Sequence, residues 1–486
     1  MKKVFLRLIA PVDHLHLTSW LFLRLLGLIY LIAFLSLSVQ ISGLVGPEGI
    51  LPLEHHLSFA AAQLGQPKAW LRLPSLFWWT GASDIVLQGT ALLGAFLSLS
   101  LIFARHERVV LIALFLLYLS LYHAGQVFTN FQWDTLLLET GFLAIFLVGG
   151  PARLLIFLFE WLLFRLRFMS GLFKLVSEDP SWSGFTALNH YFETQPLPHI
   201  GAWYAHHLPE WVLKTGVGMT FFSELIVPFF IFLPRPFRLA AAAITILMQL
   251  LIIATSNHNF INLLTICLCL FLLDDRLIKR LIPQSIRPKT DRQVIRNGKL
   301  KAVLISFATL LIVPANLIGL YSNLARGSIA VPLQSFYDSA RSFGIGNIYH
   351  IFPTMQQERH ELIIQGSDDG TTWRTYEFKY KPGDPAQQPQ IVMPHQPRLD
   401  WMIWFVPTQQ PVQMHWFGLF MQRLHQGSTP VAQLLATNPF ENKPPRYLRV
   451  LTYRYHFTPP EIDAESGDWW QREYLGEFPQ HPPRIP

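Results

Sequence analysis

Cysteine is nearly missing. Cys267 and Cys269 are the two cysteines in 486 residues, and they stand one residue apart inside an apolar run. That excludes a disulfide framework, and buried structural thiols are expected rather than zinc or redox chemistry. Charge is scarce too: Asp, Glu, Lys and Arg make up 14% of the chain, where soluble domains carry about 25%. A water-soluble globular enzyme is therefore excluded. The sequence has no G-x-S-x-G elbow, no H-E-x-x-H pair, no glycine-rich phosphate loop and no paired C-x-x-C, so the familiar soluble-enzyme chemistries have no support. No internal repeat and no N-x-[ST] glycosylation acceptor occurs. His55/His56 and His206/His207 are neighbours in sequence. On a helix neighbours point about 100° apart, which spoils a two-ligand face, and neither a metal nor a cofactor is expected.

What the chain does have is apolar length. It is 51% hydrophobic with mean hydropathy +0.30, and it contains runs able to cross ~30 Å of hydrocarbon as helices of ~20 residues. About nine spans are predicted, near Trp20 to Ile41, Ile85 to Ala104, Val109 to Tyr122, Thr135 to Gly149, Leu154 to Met169, Met219 to Leu233, Leu239 to Ala254, Asn262 to Leu273 and Ala302 to Tyr321. Pro228 and Pro314 lie inside spans, where neighbouring helices can satisfy the freed backbone groups. The first run starts too late and is too long for a cleaved signal peptide, and reads as a signal anchor. The expected architecture is a multi-pass α-helical transmembrane domain over residues 1–330, followed by a β-rich extracytoplasmic domain over 331–486.

Orientation follows from lysine and arginine, which short cytoplasmic loops retain. With the amino terminus inside, the inner loops hold Lys2, Lys3, Arg7, Arg105, Arg108, Arg153, Arg235 and Arg238, and a basic loop over 274–301 with Arg276, Arg280, Arg287, Lys289, Arg292, Arg296 and Lys301. The outward loops 42–84 and 170–218 hold few cations, among them Lys68, Arg72, Lys174 and Lys214. Arg165 and Arg167 dissent, standing at the outer end of the fifth span, where they must snorkel or face a cavity. The net charge of +7 owes much to the basic loop, which reads as a contact for anionic lipid and not for nucleic acid.

Beyond residue 331 the pattern alternates and turns often. Glu361 to Gly366 and Trp373 to Tyr380 read as strands joined by the turn Ser367-Asp-Asp-Gly370. Arg398 to Phe405, Arg446 to Phe457 and Trp469 to Tyr474 read as further strands, and Val412 to Leu424 and Val431 to Ala436 as helices. Trp401, Trp404, Trp416, Trp469 and Trp470 suit either an exposed aromatic surface or, as the preferred reading, the domain's own core.

The stretch Arg167 to Leu208 is the most unusual, packing Lys174, Glu178, Asp179, Glu193 and several histidines and prolines between membrane-length runs. Ionisable groups in or beside spans are costly and usually face a cavity or a partner. Asp134, Glu139, Glu160, Arg165, Arg167 and Glu224 are of that kind; Glu160 is expected to pair with the nearby arginines, and Lys174 to snorkel or to pair with Glu178 four residues on.

FQWDTLLLETGF (131–142), SGLFKL (170–175), HYFETQPLP (190–198), ELIVPFF (224–230) and NFINLLT (259–265) resemble the lipase maturation factor family. The resemblance continues through GIGNIYHIFPTM (344–355), YEFKYKPGDP (376–385), RLDWMIWF (398–405), NPF (438–440), PPRYLRVLTYRYHF (444–457) and WW (469–470), so it covers nearly the whole chain. It implies a multi-pass membrane protein that helps secreted lipases fold, assemble and leave the cell in active form, a folding factor rather than an enzyme, with client lipases and membrane lipids as partners. In animals the site of action is the endoplasmic reticulum. The lack of outward cysteines and glycosylation acceptors suits a bacterial relative in the cytoplasmic membrane, with its carboxyl-terminal domain outside. The residues singled out as a client-binding or functional loop are Asn189, His190, Tyr191, Glu193, Gln195 and Pro196, with Asp134, Glu139 and Glu224 behind them.

A rival comes from another class. SGLFKL, followed by Trp182, is also similar to the lysine-bearing segment of vitamin K-dependent γ-carboxylase, in the wider horizontally transferred transmembrane group. Under that resemblance Lys174 is a catalytic base, made available by desolvation. A transporter is less supported still, since no inverted repeats or paired broken helices are visible.

Overall fold

Leucine-, isoleucine- and phenylalanine-rich runs fold as helices, because helical hydrogen bonding satisfies the backbone where water is absent. In the computed structural model, which describes residues 10–288, 299–325, 329–461 and 467–479, these are α1 (His16–Ser38), α2 (Asp84–Ile102), α3 (Glu107–Ala124), α4 (Gln132–Leu147), α5 (Arg153–Val176), α6 (Glu210–Phe221), α7 (Arg235–Thr255), α8 (Ile261–Cys269) and α9 (Lys299–Leu324). Helix α6 continues through a π turn, Phe222–Ile226, and a 3-10 turn, Val227–Phe232 that contains Pro228. Lys2, Lys3, Arg7, Lys289, Arg292 and Arg296 lie outside the described residues.

The chain is a multi-pass helical membrane protein. Among the described residues six helices have the length and composition of a span: α1, α2, α3, α6 with its continuation to Phe232, α7 and α9. The other three expected spans are helices that fall short of that standard. At 16 residues, α4 reaches only about 24 Å at 1.5 Å per residue, and α8 with its 3-10 extension is shorter. Helix α5 is long enough at 24 residues, but carries Arg153, Glu160, Arg165, Arg167 and Lys174.

Packing is close where glycine allows it. On α2, a Cβ at Gly94 would meet the Phe34 ring at 2.3 to 2.5 Å, so the missing side chain is what lets α1 lay that ring on the α2 backbone. The start of α1 is capped from the first residue of the helix Asp275–Leu281: the Asp275 carboxylate accepts from Leu17 N at 3.0 Å and Thr18 N at 2.8 Å, satisfying donors that a helix start leaves open.

The carboxyl-terminal region opens with α10 (Val331–Ser342) and builds a small sheet from β1 (Arg359–Ser367), β2 (Arg374–Tyr376), β3 (Tyr447–Phe457) and β4 (Trp470–Glu477). The order is β2-β1-β3-β4, antiparallel throughout. The β1–β2 hairpin closes as its sequence demands, with Gly370 at φ +78° and Asp369 accepting from Thr371 N and Thr372 N. Helices Pro411–His425 and Thr429–Ala432 stand near the two expected ones.

One expected strand is corrected. Arg398 to Phe405 is not extended; Arg398–Ile403 is a helix whose six residues are all buried. A run buried on every side shows no alternation from which strand and helix could be told apart, and Pro397 stands at its N-cap. The expected strand at Trp373 to Tyr380 also contracts to three residues.

The sheet and its helices share a core with the membrane helices. A single apolar cluster runs from Phe22 and Tyr30 on α1 through Leu136 to Leu138 on α4 to Trp401, Trp416 and Phe420. Trp401 lies edge-on to Trp133 of α4, with ring centroids 5.1 Å apart. Trp401, Trp416 and Trp470 are buried and Trp404 and Trp469 half-buried, so these rings are core rather than client surface.

Candidate functional site

Helix α5 positions the first group of polar side chains. Arg167, Ser170 and Lys174 recur at helical spacing and share a face, and opposite them the π turn of α6 presents Ser223 and Glu224. Gly171 makes the approach possible, since a Cβ there would stand 2.8 Å from Glu224 Cβ and 2.9 Å from Leu225 Cδ2. Arg167 Nη2 donates to Ser223 Oγ at 2.9 Å, and Nη1 stands 3.6 Å from Glu224 Oε1. Lys174 Nζ donates to Glu224 Oε2 at 2.9 Å, to Ile351 O at 2.9 Å and to Ser170 O at 3.4 Å. It also lies 5.1 Å from the centre of the Trp182 ring. Three oxygens thus surround Nζ, as many as an ammonium has N–H donors. The expected partner Glu178 is not used and the side chain does not snorkel. Burial under Ile351 and Trp182 brings Lys174 to Glu224 instead. Glu160 likewise faces Arg238, at 3.8 Å, and not the arginines of its own helix.

Arg165 points to the other side of α5. It pairs with Glu139 of α4 and donates to Asn347 O at 2.9 Å, while Tyr349 donates its hydroxyl to Glu139 Oε2 at 2.9 Å. Asp134 holds Arg398 through two hydrogen bonds of 2.6 and 2.7 Å and accepts a third from Tyr118 at 2.7 Å. These acids are thus bound to cations or hydroxyls, and each assembly ties the carboxyl-terminal region to the membrane helices.

The loop residues do something similar. Helix Ala187–Thr194 delivers Glu193 beneath β3, where Oε2 accepts from Phe457 N at 2.7 Å and Oε1 lies 3.1 Å from His456 Nδ1. His206 stands 3.8 Å from the same carboxylate, yet burial holds its imidazole below the ordinary range. Gln195 donates to Thr255 O at 3.0 Å. The carbonyls of Glu193, Gln195 and Pro196 converge on the guanidinium of Arg359, which also pairs with Glu361. Tyr191 bonds through its hydroxyl with Ser256 Oγ at 2.9 Å and His258 Nε2 at 2.7 Å. Asn189 and His190 are half-buried, and Asn189 Oδ1 is buried without a donor.

The expected residues therefore fall into separate places. Asp134 and Glu139 are clamps between α4 and the carboxyl-terminal region; Glu193, Gln195 and Pro196 bind Arg359 and β3. Only Lys174, Glu224 and Tyr191, joined by Arg167, line a common space. That space is an apolar cavity of about 480 Å³ between α6 and α7, with His258 and Asn262 in its wall. Ser223, Ser256, His258, Asn262, Arg359 and Arg398 were not singled out from the sequence. NFINLLT and RLDWMIWF already contain Asn262 and Arg398, but nothing local marks them as partners of residues far away.

Comparison with known proteins covers the same two regions. A family described as "Lipase maturation factor transmembrane domain" matches residues 17–280, and one described as "Lipase maturation factor C-terminal domain" matches residues 345–480. Lipase maturation factor 2 of Xenopus laevis is 34% identical over 93% of this chain and 80% of its own length. The Homo sapiens protein of that name is 33% identical, over 94% and 81%. Lipase maturation factor 1 of Bos taurus is 33% identical, over 95% of this chain and 88% of the relative. No solved structure matches.

Proposed function

The chain belongs to the lipase maturation factor family, and on that premise we propose that it is a membrane-embedded factor that assists the folding, assembly and export of active lipases. The observation that carries this reading is likeness over 93% of the chain to a relative bearing that name, spanning the membrane helices and the sheet together. The many clamps between these regions fit a rigid platform that presents the carboxyl-terminal region and the loop around Glu193 to a client at the membrane surface. Client lipases and membrane lipids are the partners under this reading. Lys174 has a structural role under this reading, because Nζ is held by Glu224, Ile351 and Ser170.

The proposed topology has nine crossings, with the amino terminus in the cytoplasm and the carboxyl-terminal region outside, in the cytoplasmic membrane of a bacterium as in the endoplasmic reticulum of an animal cell. Contacts between loops support it. Arg108 donates to Val148 O at 2.9 Å, Lys301 to Gly150 O at 2.5 Å, Arg235 pairs with Asp274 at 2.6 Å and Asp275 caps α1. These gather the basic loops at one end of the bundle, and nine crossings put them all on one side.

The test is the specific activity of secreted lipase in cells lacking the gene, complemented with the wild type, Lys174→Ala or Glu193→Gln. A drop on deletion that the wild type restores supports the reading; unchanged lipase in the deletion strain overturns it.

A further inference from the structure

The cavity between α6 and α7 has a feature that a maturation scaffold does not require. Its walls are almost entirely apolar, and Arg167, Lys174 and Glu224 are among the few charged residues that line it. Among the described residues Glu224 is the only carboxylate within ion-pair distance of either cation. Two cations therefore share one buried acid. Arginine stays protonated in proteins, so with Lys174 as an ammonium the cluster carries one surplus positive charge away from water. Such a charge is costly unless an anion meets it. Two donors in the same wall also lack acceptors: Arg167 Nε and Asn262 Nδ2 are both buried and unpaired, in residues that are 4% and 2% exposed. Buried N–H groups without acceptors are uncommon in native proteins.

The way in is lateral. Met219 and Phe222 from α6 and Leu247 and Leu251 from α7 line the cavity and are exposed on the outer surface of the bundle, at positions that hydrocarbon covers in a membrane. A volume of about 480 Å³ falls in the ~300 to 1,000 Å³ range of small-molecule sites. The surplus charge, the two unpaired donors, the apolar walls and the opening toward the bilayer call for one kind of occupant.

We propose that the α6–α7 cavity binds an acyl chain carrying an anionic head group, a fatty acid or an anionic phospholipid, with the head group against Arg167 and Asn262 and the chain along Met219 and Leu247. This site does not depend on the maturation reading, and its test uses no lipase.

The experiment is displacement of cis-parinaric acid from the purified full-length protein in dodecyl maltoside. Competitors are oleate, oleyl alcohol, oleoyl lysophosphatidylglycerol and oleoyl lysophosphatidylcholine. Oleate or the lysophosphatidylglycerol is expected to compete at least about 10-fold better than its uncharged or zwitterionic counterpart, the ratio a charge-assisted hydrogen bond supplies. Mass spectrometry of a chloroform–methanol extract then separates the two sources, by a retained fatty acid or a retained anionic phospholipid. Arg167→Gln is expected to weaken binding about 10-fold, Asn262→Leu to weaken it less, and Met248→Trp, which fills the cavity, to abolish it. Equal competition by acid and alcohol overturns the proposal, as does unchanged binding in folded Arg167→Gln or Met248→Trp protein. If a variant does not fold, the acid-to-alcohol ratio on the wild type decides alone.

Discussion

Asp134 on α4 and Arg398, 264 residues later, meet through two parallel hydrogen bonds of 2.6 and 2.7 Å, in side chains that are each 1% exposed. Arg398 Nη1 also donates to Phe128 O at 3.0 Å, and its backbone N–H to Gln40 Oε1 at 2.8 Å. The pair thus joins the turn after α1, α4 and the carboxyl-terminal region at one point. Pairs of this kind contribute more to specifying an arrangement than to net stability, because desolvation offsets much of the attraction.

Removing one partner is a different matter. Asp134→Leu leaves a buried guanidinium unpaired and is expected to cost about 3 to 5 kcal/mol, seen as a fall in Tm of the purified protein. The double variant Asp134→Leu/Arg398→Met is expected to recover most of the loss. A double variant as unstable as the sum of the singles would show that the two residues do not act as a pair.

Gly171→Ala puts a Cβ 2.8 Å from Glu224 Cβ, so α5 and the π turn must separate. Overpacking of this kind costs about 1 to 3 kcal/mol. The expected result is a lower Tm with normal membrane insertion, whereas Gly218→Ala, with its nearest neighbour at 3.7 Å, is expected to leave stability at the wild-type level or raise it by up to about 1 kcal/mol by equilibrium unfolding.

Arg359→Met takes the guanidinium away from the carbonyls of Glu193, Gln195 and Pro196. Buried acceptors left without donors cost about 1 to 3 kcal/mol in total stability, and the loop is expected to become the first site of cleavage in limited proteolysis. An unchanged fragment pattern would mean that Tyr191 and Gln195 suffice to hold it.

Asp400 gives the carboxyl-terminal region a pH dependence. Burial pushes its carboxyl up to about 6, against the opposing pull of the N–H groups of Tyr380 and Lys381. The folded value lies above the unfolded one, so this group's contribution is whole below about pH 4 and is lost as pH rises toward 6. Asp400→Asn keeps an acceptor for both N–H groups. It is expected to raise stability at pH 7 by on the order of 2 kcal/mol and to flatten the Tm-against-pH curve between pH 4 and 6; a parallel curve would rule Asp400 out as the source.

Much of the fold was legible because apolar length is a local property. The helices from His16 to Leu324 fall where the hydropathy rises, and the hairpin at Ser367 to Gly370 follows from turn chemistry. Arg398 to Phe405 reads as a strand although Arg398–Ile403 is a helix, because complete burial erases the periodicity that separates the two. At the candidate site, the unusual residues of Arg167 to Leu208 were visible as residues, but their partners were not. Lys174 passes over Glu178 for Glu224, 50 residues away, because α5 ends at Val176 and Glu178 lies past it at φ +58°, while Gly171 lets the π turn bring Glu224 against the Lys174 face.

The sequence by itself determined that this is a membrane protein of the lipase maturation factor family, where its long helices run and which ionisable groups have to be buried. Those properties reside in composition, spacing and motif. Only the tertiary structure decided which charges meet, that the tryptophans of the carboxyl-terminal region are core, and that Arg167 and Asn262 look onto a cavity with donors to spare. Pairing and enclosure depend on the packing of segments hundreds of residues apart, and no local pattern encodes that distance.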